Sequence, residues 1–76
     1  MPKTPVVSGR EVVVALLRAG FVVDRQTGSH VVLVHQTRQR TAAVPVHGGR
    51  DMPPGTLHRV LKQAGLTLEE FRALLQ

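Results

Sequence analysis

The fold is decided by the stretch FVVDRQTGSHVVLVH, residues 21–35. Two runs rich in β-branched residues flank Thr27-Gly28-Ser29, whose small and polar side chains favour a tight turn. The stretch therefore predicts a β-hairpin. Its turn brings an ionisable side chain, His30, to the first position of the second strand.

A third strand is predicted over residues 41–46, after the polar residues 36–40 that make the next turn. Its inward face comprises Ala42, Val44 and Val46. Pro45 lacks an amide proton, which favours a place at the edge of the sheet. The run from His30 to His35 is apolar on both faces, so we predict that it is the middle strand.

A first helix is predicted over about residues 9–19. Ser8 and Glu11 form a capping box at its start, and Gly20 favours its termination. The stripe predicted to face the core comprises Val13, Leu16 and Leu17.

Two more helices are predicted after the strands. Pro53-Pro54 prepares a helix start, and a second capping box at residues 67–70 begins a short terminal helix. Apolar residues recur at helical spacing in the longer helix, at Leu57, Val60, Leu61 and Ala64, and Gly65 ends it. The inward residues of the short helix are Leu68, Phe71, Leu74 and Leu75.

These elements predict an α+β domain over residues 8–76, with a three-stranded antiparallel sheet and helices packed on one face. The order α-β-β-β-α(-α) is that of double-stranded-RNA-binding domains. Residues 1–7 carry two prolines and no periodicity, and they predict a flexible N-terminal arm.

Composition restricts the setting and the partners. The chain of 76 residues has no cysteine, which excludes disulfides and most structural zinc sites. No apolar run reaches the ~20 residues of a membrane helix, and no signal peptide is recognisable, so we expect a cytoplasmic protein. Ten Lys and Arg against five Asp and Glu give a net charge of +5. That excess favours a polyanionic partner, either nucleic acid or an acidic protein.

Four histidines are the candidates for chemistry. His30 and His35 are five residues apart in one strand, so they face opposite sides and cannot share a metal; we expect no metal and no cofactor. A single imidazole can still act as general acid or base near neutral pH. RNA would supply the nucleophile, its 2′-hydroxyl. The alternative is that His30 has a structural role, in which it lies at the end of the strand and donates a hydrogen bond to a nearby carbonyl.

Three residues could assist His30: Ser29, His47 and Arg50. The loop of His47 follows the strand predicted to neighbour His30, and Arg50 could stabilise charge on a phosphate. Equally, His47 could organise the glycine turn after it, and Arg50 could pair with Asp51. His35 and His58 are interpreted as surface or structural residues.

Further residues are candidates for RNA binding. Arginine binds phosphate in a bidentate fork, and two arginines lie at a predicted hairpin tip. The full candidate set is Gly28, Arg38, Arg40, Arg59 and Lys62. If these residues bind RNA, added salt should weaken the binding steeply.

Three motifs in this order resemble the HicA (YcfA-like) family of small bacterial toxins: Gly28-Ser29-His30, the loop VPVHGG at 44–49, and Gly55-Thr56-Leu57. The resemblance covers roughly residues 8 to 70. It implies the same fold and a toxin of a toxin-antitoxin pair that cleaves mRNA as an endoribonuclease. It also implies that His30 is catalytic and that a HicB-like antitoxin covers the active surface.

Two alternatives to the ribonuclease remain open from the residues alone. One is a non-catalytic RNA-binding module of the same fold, in which His30 is structural. The other is a protein-interaction domain whose basic face docks an acidic partner.

Overall fold

Three helices and three strands make up the computed structural model, which describes residues 4–76. They follow the predicted order: α1 Gly9–Arg18, β1 Val22–Thr27, β2 His30–His35, β3 Arg40–Pro45, α2 Pro54–Ala64 and α3 Leu68–Leu74. The strands form one antiparallel sheet in the order β1-β2-β3, which confirms the α+β fold and the central place of β2. None of the helices within residues 4–76 has the length and apolar character needed to cross a membrane.

A two-residue turn joins β1 to β2. Thr27 pairs with His30 across the hairpin, and Gly28 has a φ of 57°. A positive φ at the first central position is typical of a type II′ turn, where glycine is favoured. The turn therefore fixes the register that makes His30 the first residue of β2. Further along β1, the pairing shifts between Val23 and Arg25, which places a β-bulge at Asp24.

The sheet has one covered face and one open face. Leu33, Ala42 and Val44 are fully buried in the core shared with the helices. Because side chains alternate along a strand, Val32 and its cross-strand neighbours point the other way. We call this second surface the open face; it comprises Val22, Arg25, Thr27, His30, Val32, Val34, Thr41, Ala43 and Pro45.

Strand β3 lies at an edge of the sheet, as the proline in this strand predicted. The amide of Ala43 points away from β2 and donates to Oε1 of Gln63 in α2, at 3.1 Å. Pro45, two residues on, has the same outward orientation and no amide to leave unpaired. A side chain and a proline thus protect this edge from pairing with another strand.

Helix α1 has the predicted ends. The Glu11 amide donates to Oγ of Ser8 at 3.3 Å, and the Ser8 amide donates to Oε1 of Glu11 at 3.0 Å, which confirms the capping box. At the other end Gly20 has a φ of 100°. The Phe21 amide donates to the Leu16 carbonyl at 3.0 Å, as in a Schellman motif.

The buried face of α1 differs from the predicted stripe. Val12, Ala15 and Leu16 are fully buried, whereas Leu17 is 45% exposed and Val13 only partly buried. The prediction for Leu17 was therefore wrong, whereas Val13 packs against the edge of the core as predicted. Residues 12–17 form an unbroken apolar run, so spacing alone does not select which face turns inward.

Helices α2 and α3 complete the core as predicted. The four apolar residues of the α2 stripe are all buried. Gly65, with a φ of 73°, ends this helix, and the Leu66 amide donates to the Leu61 carbonyl. The α3 capping box pairs Thr67 with Glu70. Phe71 is fully buried, and Leu68, Leu74 and the residue after the helix, Leu75, pack against the core.

Val7, the last residue of the predicted N-terminal arm, belongs to the core. Residues 1–3 of the predicted arm lie outside the described residues, and residues 4–7 form no helix or strand. Val7 is nevertheless 3% exposed, and its carbonyl accepts the Met52 amide at 2.7 Å. A single β-bridge joins the next residue, Ser8, to the loop before α2. The starts of α1 and α2 are thereby held side by side.

Gly9, the first residue of α1, lies directly against the end of β3. A Cβ added at this position would overlap the Pro45 carbonyl oxygen and come within 3.0 Å of the Val46 Cα. Both neighbours are backbone atoms, which cannot move aside cheaply. Glycine therefore sets how closely α1 approaches the sheet.

Candidate functional site

His30 stands at the end of the open face, where the β1–β2 turn meets β2. Its side chain is exposed. Within residues 4–76, the histidine side chains that make hydrogen bonds are those of His35 and His58. No hydrogen bond within these residues engages the His30 imidazole, so neither ring nitrogen is already paired with a group of the described chain.

Thr27 and Pro45 flank His30 on the neighbouring strands. Directly opposed residues in an antiparallel pair have Cβ atoms about 4.5–5.5 Å apart, so the side chains of Thr27 and Pro45 start on either side of His30 on the same face of the sheet. Neither residue was predicted as part of the site. The sequence did contain a signal for Thr27. A two-residue turn pairs the residues on either side of it, which here are Thr27 and His30.

His47 and Ser29 lie at the same end of the sheet as His30. The Val46 amide donates to the Ser29 carbonyl at 2.6 Å, which extends the β2–β3 pairing beyond Pro45. His47 follows at once and therefore passes beside the Gly28 turn. The structure thus places the glycine-serine turn, His30 and His47 at one end of the sheet.

Arg50 also lies at this end, beyond a tight turn. Its amide donates to the His47 carbonyl at 3.1 Å, which closes the turn, and Gly48 has a φ of 60°. His47 and Arg50 both line a cleft of about 170 Å³. The other residues of the cleft are Gly9, Pro45, Asp51, Met52 and Pro53.

The pairing of Arg50 with Asp51, considered above as an alternative role, is absent from residues 4–76. The ion pair in that part of the chain joins Asp24 to Arg25 at 2.6 Å. Asp51 instead takes part in the backbone bridge to Ser8. The Arg50 guanidinium is exposed at the cleft and has no carboxylate partner in the described region.

Arg38 and Arg40 lie at the opposite end of the sheet. The β2–β3 turn is five strand positions away from His30, about 17 Å at ~3.3 Å per residue. The Arg40 guanidinium lies beside Gly65, because a Cβ there would come within 3.0 Å of Nε. Arg38 lies near Glu70 of α3. The structure therefore separates these two arginines from the His30 end.

Arg59 and Lys62 are exposed on the outer surface of α2. The helix begins beside the bridge to Ser8, near the His30 end, and finishes at Gly65 near Arg40. Its two cations therefore lie between the ends of the sheet. They could contact a strand of nucleic acid that extends from one end towards the other.

His35 has a structural environment. Its ring packs edge to face against Phe21, with centroids 5.2 Å apart. Its Nδ1 accepts the Arg38 amide at 3.2 Å, and its Nε2 lies against Gly20. His58, on α2, is 3.1 Å from the Thr4 hydroxyl. His35 and His30 lie on opposite faces of the sheet, as their spacing predicted.

Glu70 of α3 has a carboxyl group whose pKa is lowered by its surroundings. Hydrogen bonds from the Thr67 amide and then the Thr67 hydroxyl lower the pKa of the Glu70 carboxyl, and the Arg38 charge adds to them. The Glu70 carboxylate lies near Arg38 of the β2–β3 turn, at the end of the sheet opposite to His30; we call this end the tip end. In residues 4–76 no group of three or more potential ligand side chains is arranged to hold a metal ion.

Comparison with known proteins identifies the family. A model of the HicA toxin of bacterial toxin-antitoxin systems matches residues 9–66. No significant match is found among curated proteins. The matched range runs from the start of α1 through α2 and includes the whole His30 end. The chain belongs to the HicA toxin family of bacterial toxin-antitoxin systems.

Proposed function

We propose that this toxin is a metal-independent endoribonuclease that cleaves mRNA in the cytoplasm, with His30 moving a proton in the reaction. The observation that supports this most is the state of His30. It is exposed, it is held by a strand and a tight turn, and no hydrogen bond within residues 4–76 engages its ring. A histidine kept for stability would resemble His35, which is packed and bonded.

The proposed reaction needs no nucleophile from the protein. A base removes the proton of the RNA 2′-hydroxyl, and the 2′-oxygen attacks the adjacent phosphorus. As the new bond forms, the bond from phosphorus to the 5′-oxygen breaks, and an acid protonates that leaving oxygen. The products are a 2′,3′-cyclic phosphate and a 5′-hydroxyl. DNA lacks the 2′-hydroxyl and is not a substrate.

His47 and Arg50 are proposed to complete the site. His47 supplies the second proton-transfer group, because it passes beside the turn that precedes His30. Arg50 faces the same cleft and stabilises negative charge on the phosphate in the transition state. Gly28 and Ser29 let the RNA backbone approach the turn closely, since no side chain projects from Gly28.

RNA binding beyond the cleaved bond is proposed to use the other cations. Arg59 and Lys62 contact phosphates along α2, and Arg38 and Arg40 contact them near the tip. These contacts are electrostatic, so the affinity should fall steeply with salt. Family membership implies an antitoxin partner, and we propose that it is HicB-like.

The decisive experiment uses purified wild-type protein, His30→Ala and the matched control His58→Ala, with an RNA oligonucleotide and EDTA present. We expect cleavage by the wild type and by the control, cyclic phosphate ends, and no cleavage by His30→Ala. RNA binding by His30→Ala should persist. If the wild type binds RNA without cleaving it, the protein is a binding module. If it neither binds nor cleaves RNA, it is a protein-interaction domain.

A second substrate distinguishes the two roles open to His30. In an RNA whose leaving 5′-oxygen is replaced by sulfur, the leaving group departs without protonation. If His30 is the acid, His30→Ala should cleave this substrate nearly as fast as the wild type does. If His30 is the base, the variant should remain inactive on it.

A further inference from the structure

Arg25 is the positively charged neighbour of His30 on the open face. Thr27 lies directly opposite His30, and Arg25, two positions back along β1, lies opposite Val32. Side chains alternate along a strand, so Arg25, Thr27 and His30 share one face. Of the nine strand residues that form the open face, all within the described chain, Arg25 is the one with a permanent charge. Diagonal neighbours in an antiparallel pair are about 7–8 Å apart, a distance that a long side chain can span. The Arg25 guanidinium can therefore reach a molecule bound at the His30 imidazole.

The β-bulge in β1 gives Arg25 its place on the open face. Asp24 is the extra residue between Val23, which lies opposite the buried Leu33, and Arg25, which lies opposite Val32. Residues two positions apart on a regular strand point to the same face, so without the bulge Val23 and Arg25 would share one. The extra residue keeps Val23 in register with Leu33 and turns Arg25 towards the side of His30. Bulges beside active sites commonly redirect a side chain in this way.

The Arg25 guanidinium is held by a partner that it can exchange. Its Nη1 donates to Oδ2 of Asp24 at 2.6 Å, and the Arg25 side chain is 63% exposed. Within residues 4–76 the Arg25 side chain makes no other hydrogen bond. An exposed ion pair contributes little to stability, because water solvates both partners well when they separate. Another anion can therefore replace the Asp24 carboxylate at small cost.

The position of Arg25 favours an RNA phosphate over a carboxylate of a protein partner. The planar guanidinium binds phosphate through two parallel hydrogen bonds. Any RNA strand whose cleaved bond lies at His30 brings another phosphate within one nucleotide of that bond, whatever its base sequence. A carboxylate on a protein has no such fixed spacing from His30. The distance between the two residues therefore matches a repeating feature of RNA.

We propose that Arg25 binds the RNA phosphate next to the one that is cleaved, and that Asp24 holds the guanidinium in place until RNA displaces the carboxylate. The inference rests on the proposed function, because it requires an RNA strand at His30. Arg25 holds that strand across the β1–β2 hairpin and takes no part in proton transfer. Asp24 opposes RNA binding, since its carboxylate competes with the phosphate for the same group.

The test measures the affinity for a single-stranded RNA oligonucleotide at several salt concentrations, with His30→Ala as the parent so that binding is separated from cleavage. Arg25→Gln and Asp24→Asn are added to this parent one at a time and together. The matched controls are Arg72→Gln and Glu69→Gln, which make the same changes of charge on α3. All four side chains are exposed, so the variants should fold, which urea unfolding would verify.

We expect Arg25→Gln to weaken RNA binding roughly 10-fold, as loss of one charge-assisted contact does. The slope of log affinity against log salt should become shallower by about 0.7, the value for one phosphate contact on a single strand. Asp24→Asn should tighten binding about two- to fivefold, because it removes the competing carboxylate. The two controls should show only the smaller effect of net charge, and Asp24→Asn should gain little once Arg25 is replaced.

Two further measurements separate the possible roles of Arg25. In the chain with His30 intact, Arg25→Gln should raise KM and leave kcat nearly unchanged, as loss of uniform binding does. If the parent binds RNA and Arg25→Gln binds it as well as Arg72→Gln does, the inference is overturned and the proposed function stands. If the parent binds no RNA, both fall. A loss of affinity for the antitoxin with unchanged RNA affinity would also overturn the inference, since it would assign Arg25 to that protein.

Discussion

The two ends of β2 carry the same residue in opposite circumstances. His30, at the turn end, is exposed on the open face, while His35, at the tip end, packs against Phe21 and accepts the Arg38 amide. The two residues are five positions apart, and side chains alternate between the faces along a strand. This odd spacing places the two rings on opposite faces of the sheet. A histidine's role here follows from the face it occupies and from the groups that already use its ring nitrogens.

The strongest test of this contrast is His30→Ala. We expect the RNA cleavage rate to fall by about 10²–10⁴-fold, the usual contribution of a general acid or base. Because the ring is exposed and makes no hydrogen bond within residues 4–76, the free energy of unfolding should change by less than about 0.5 kcal/mol. Single-turnover kinetics and urea unfolding measure the two quantities. If His30→Ala lost as much stability as His35→Ala, the two histidines could not be assigned different roles.

The next effect concerns the partner of His30. His47→Ala should lower the cleavage rate by roughly 100-fold, as loss of a second proton-transfer group does. Residues that act in one step are not additive, so His30→Ala/His47→Ala should cleave no more slowly than His30→Ala alone. The same single-turnover assay checks both variants. Independent, multiplying effects would instead assign His47 to organising the Gly48-Gly49 turn.

A substitution of His35, at the tip end, should have the opposite effect to that of His30→Ala: it should lower the stability and leave the activity unchanged. His35→Ala removes the edge-to-face contact with Phe21 and the acceptor of the Arg38 amide, which should destabilise the fold by about 1–2 kcal/mol. The cleavage rate per folded molecule should stay as in the wild type. His35→Phe restores a ring without the acceptor and should recover part of the loss. Urea unfolding of the three proteins provides the comparison, and an inactive but stable His35→Ala would contradict it.

The smallest effect is expected from the carboxylate at the tip end. A lowered pKa means that ionised Glu70 stabilises the fold above its ordinary value of 4.5 and that this contribution disappears as pH falls from there through the lowered pKa. Glu70→Gln keeps an acceptor for the Thr67 amide and removes only the charge. The unfolding midpoint of the variant should lie slightly below that of the wild type at pH 7. The two midpoints should converge in acid, and a gap that widens there would reverse the assigned sign.

Local sequence patterns predicted most of the fold. Both capping boxes, the glycine-terminated helices and the α2 stripe depend on residues within a few positions of one another, and all were confirmed. The α1 face was predicted only in part, with Leu17 wrongly included and Val12 and Ala15 missed, because residues 12–17 are apolar throughout. Which face turns inward is decided by contacts distant in sequence, such as that of Gly9 with Pro45.

The positions of the candidate site residues could be predicted where strand register fixes them, and not elsewhere. The place of His30 follows from a two-residue turn, and that of His47 follows from the neighbouring strand. The separation of Arg38 and Arg40 from His30 reflects the length of β2, while their contacts with Glu70 and Gly65 join segments far apart in the chain.

The close approach of Gly9 to β3 has a genetic consequence. Selecting bacteria that survive a toxin recovers mutations that abolish its action, and such mutations need not touch the reacting groups. Every single-base change that replaces Gly9 adds a Cβ and pushes α1 away from the strand that leads to His47. Survivors should therefore carry Gly9 substitutions as well as His30 substitutions, and only the former should show reduced protein levels in the cell.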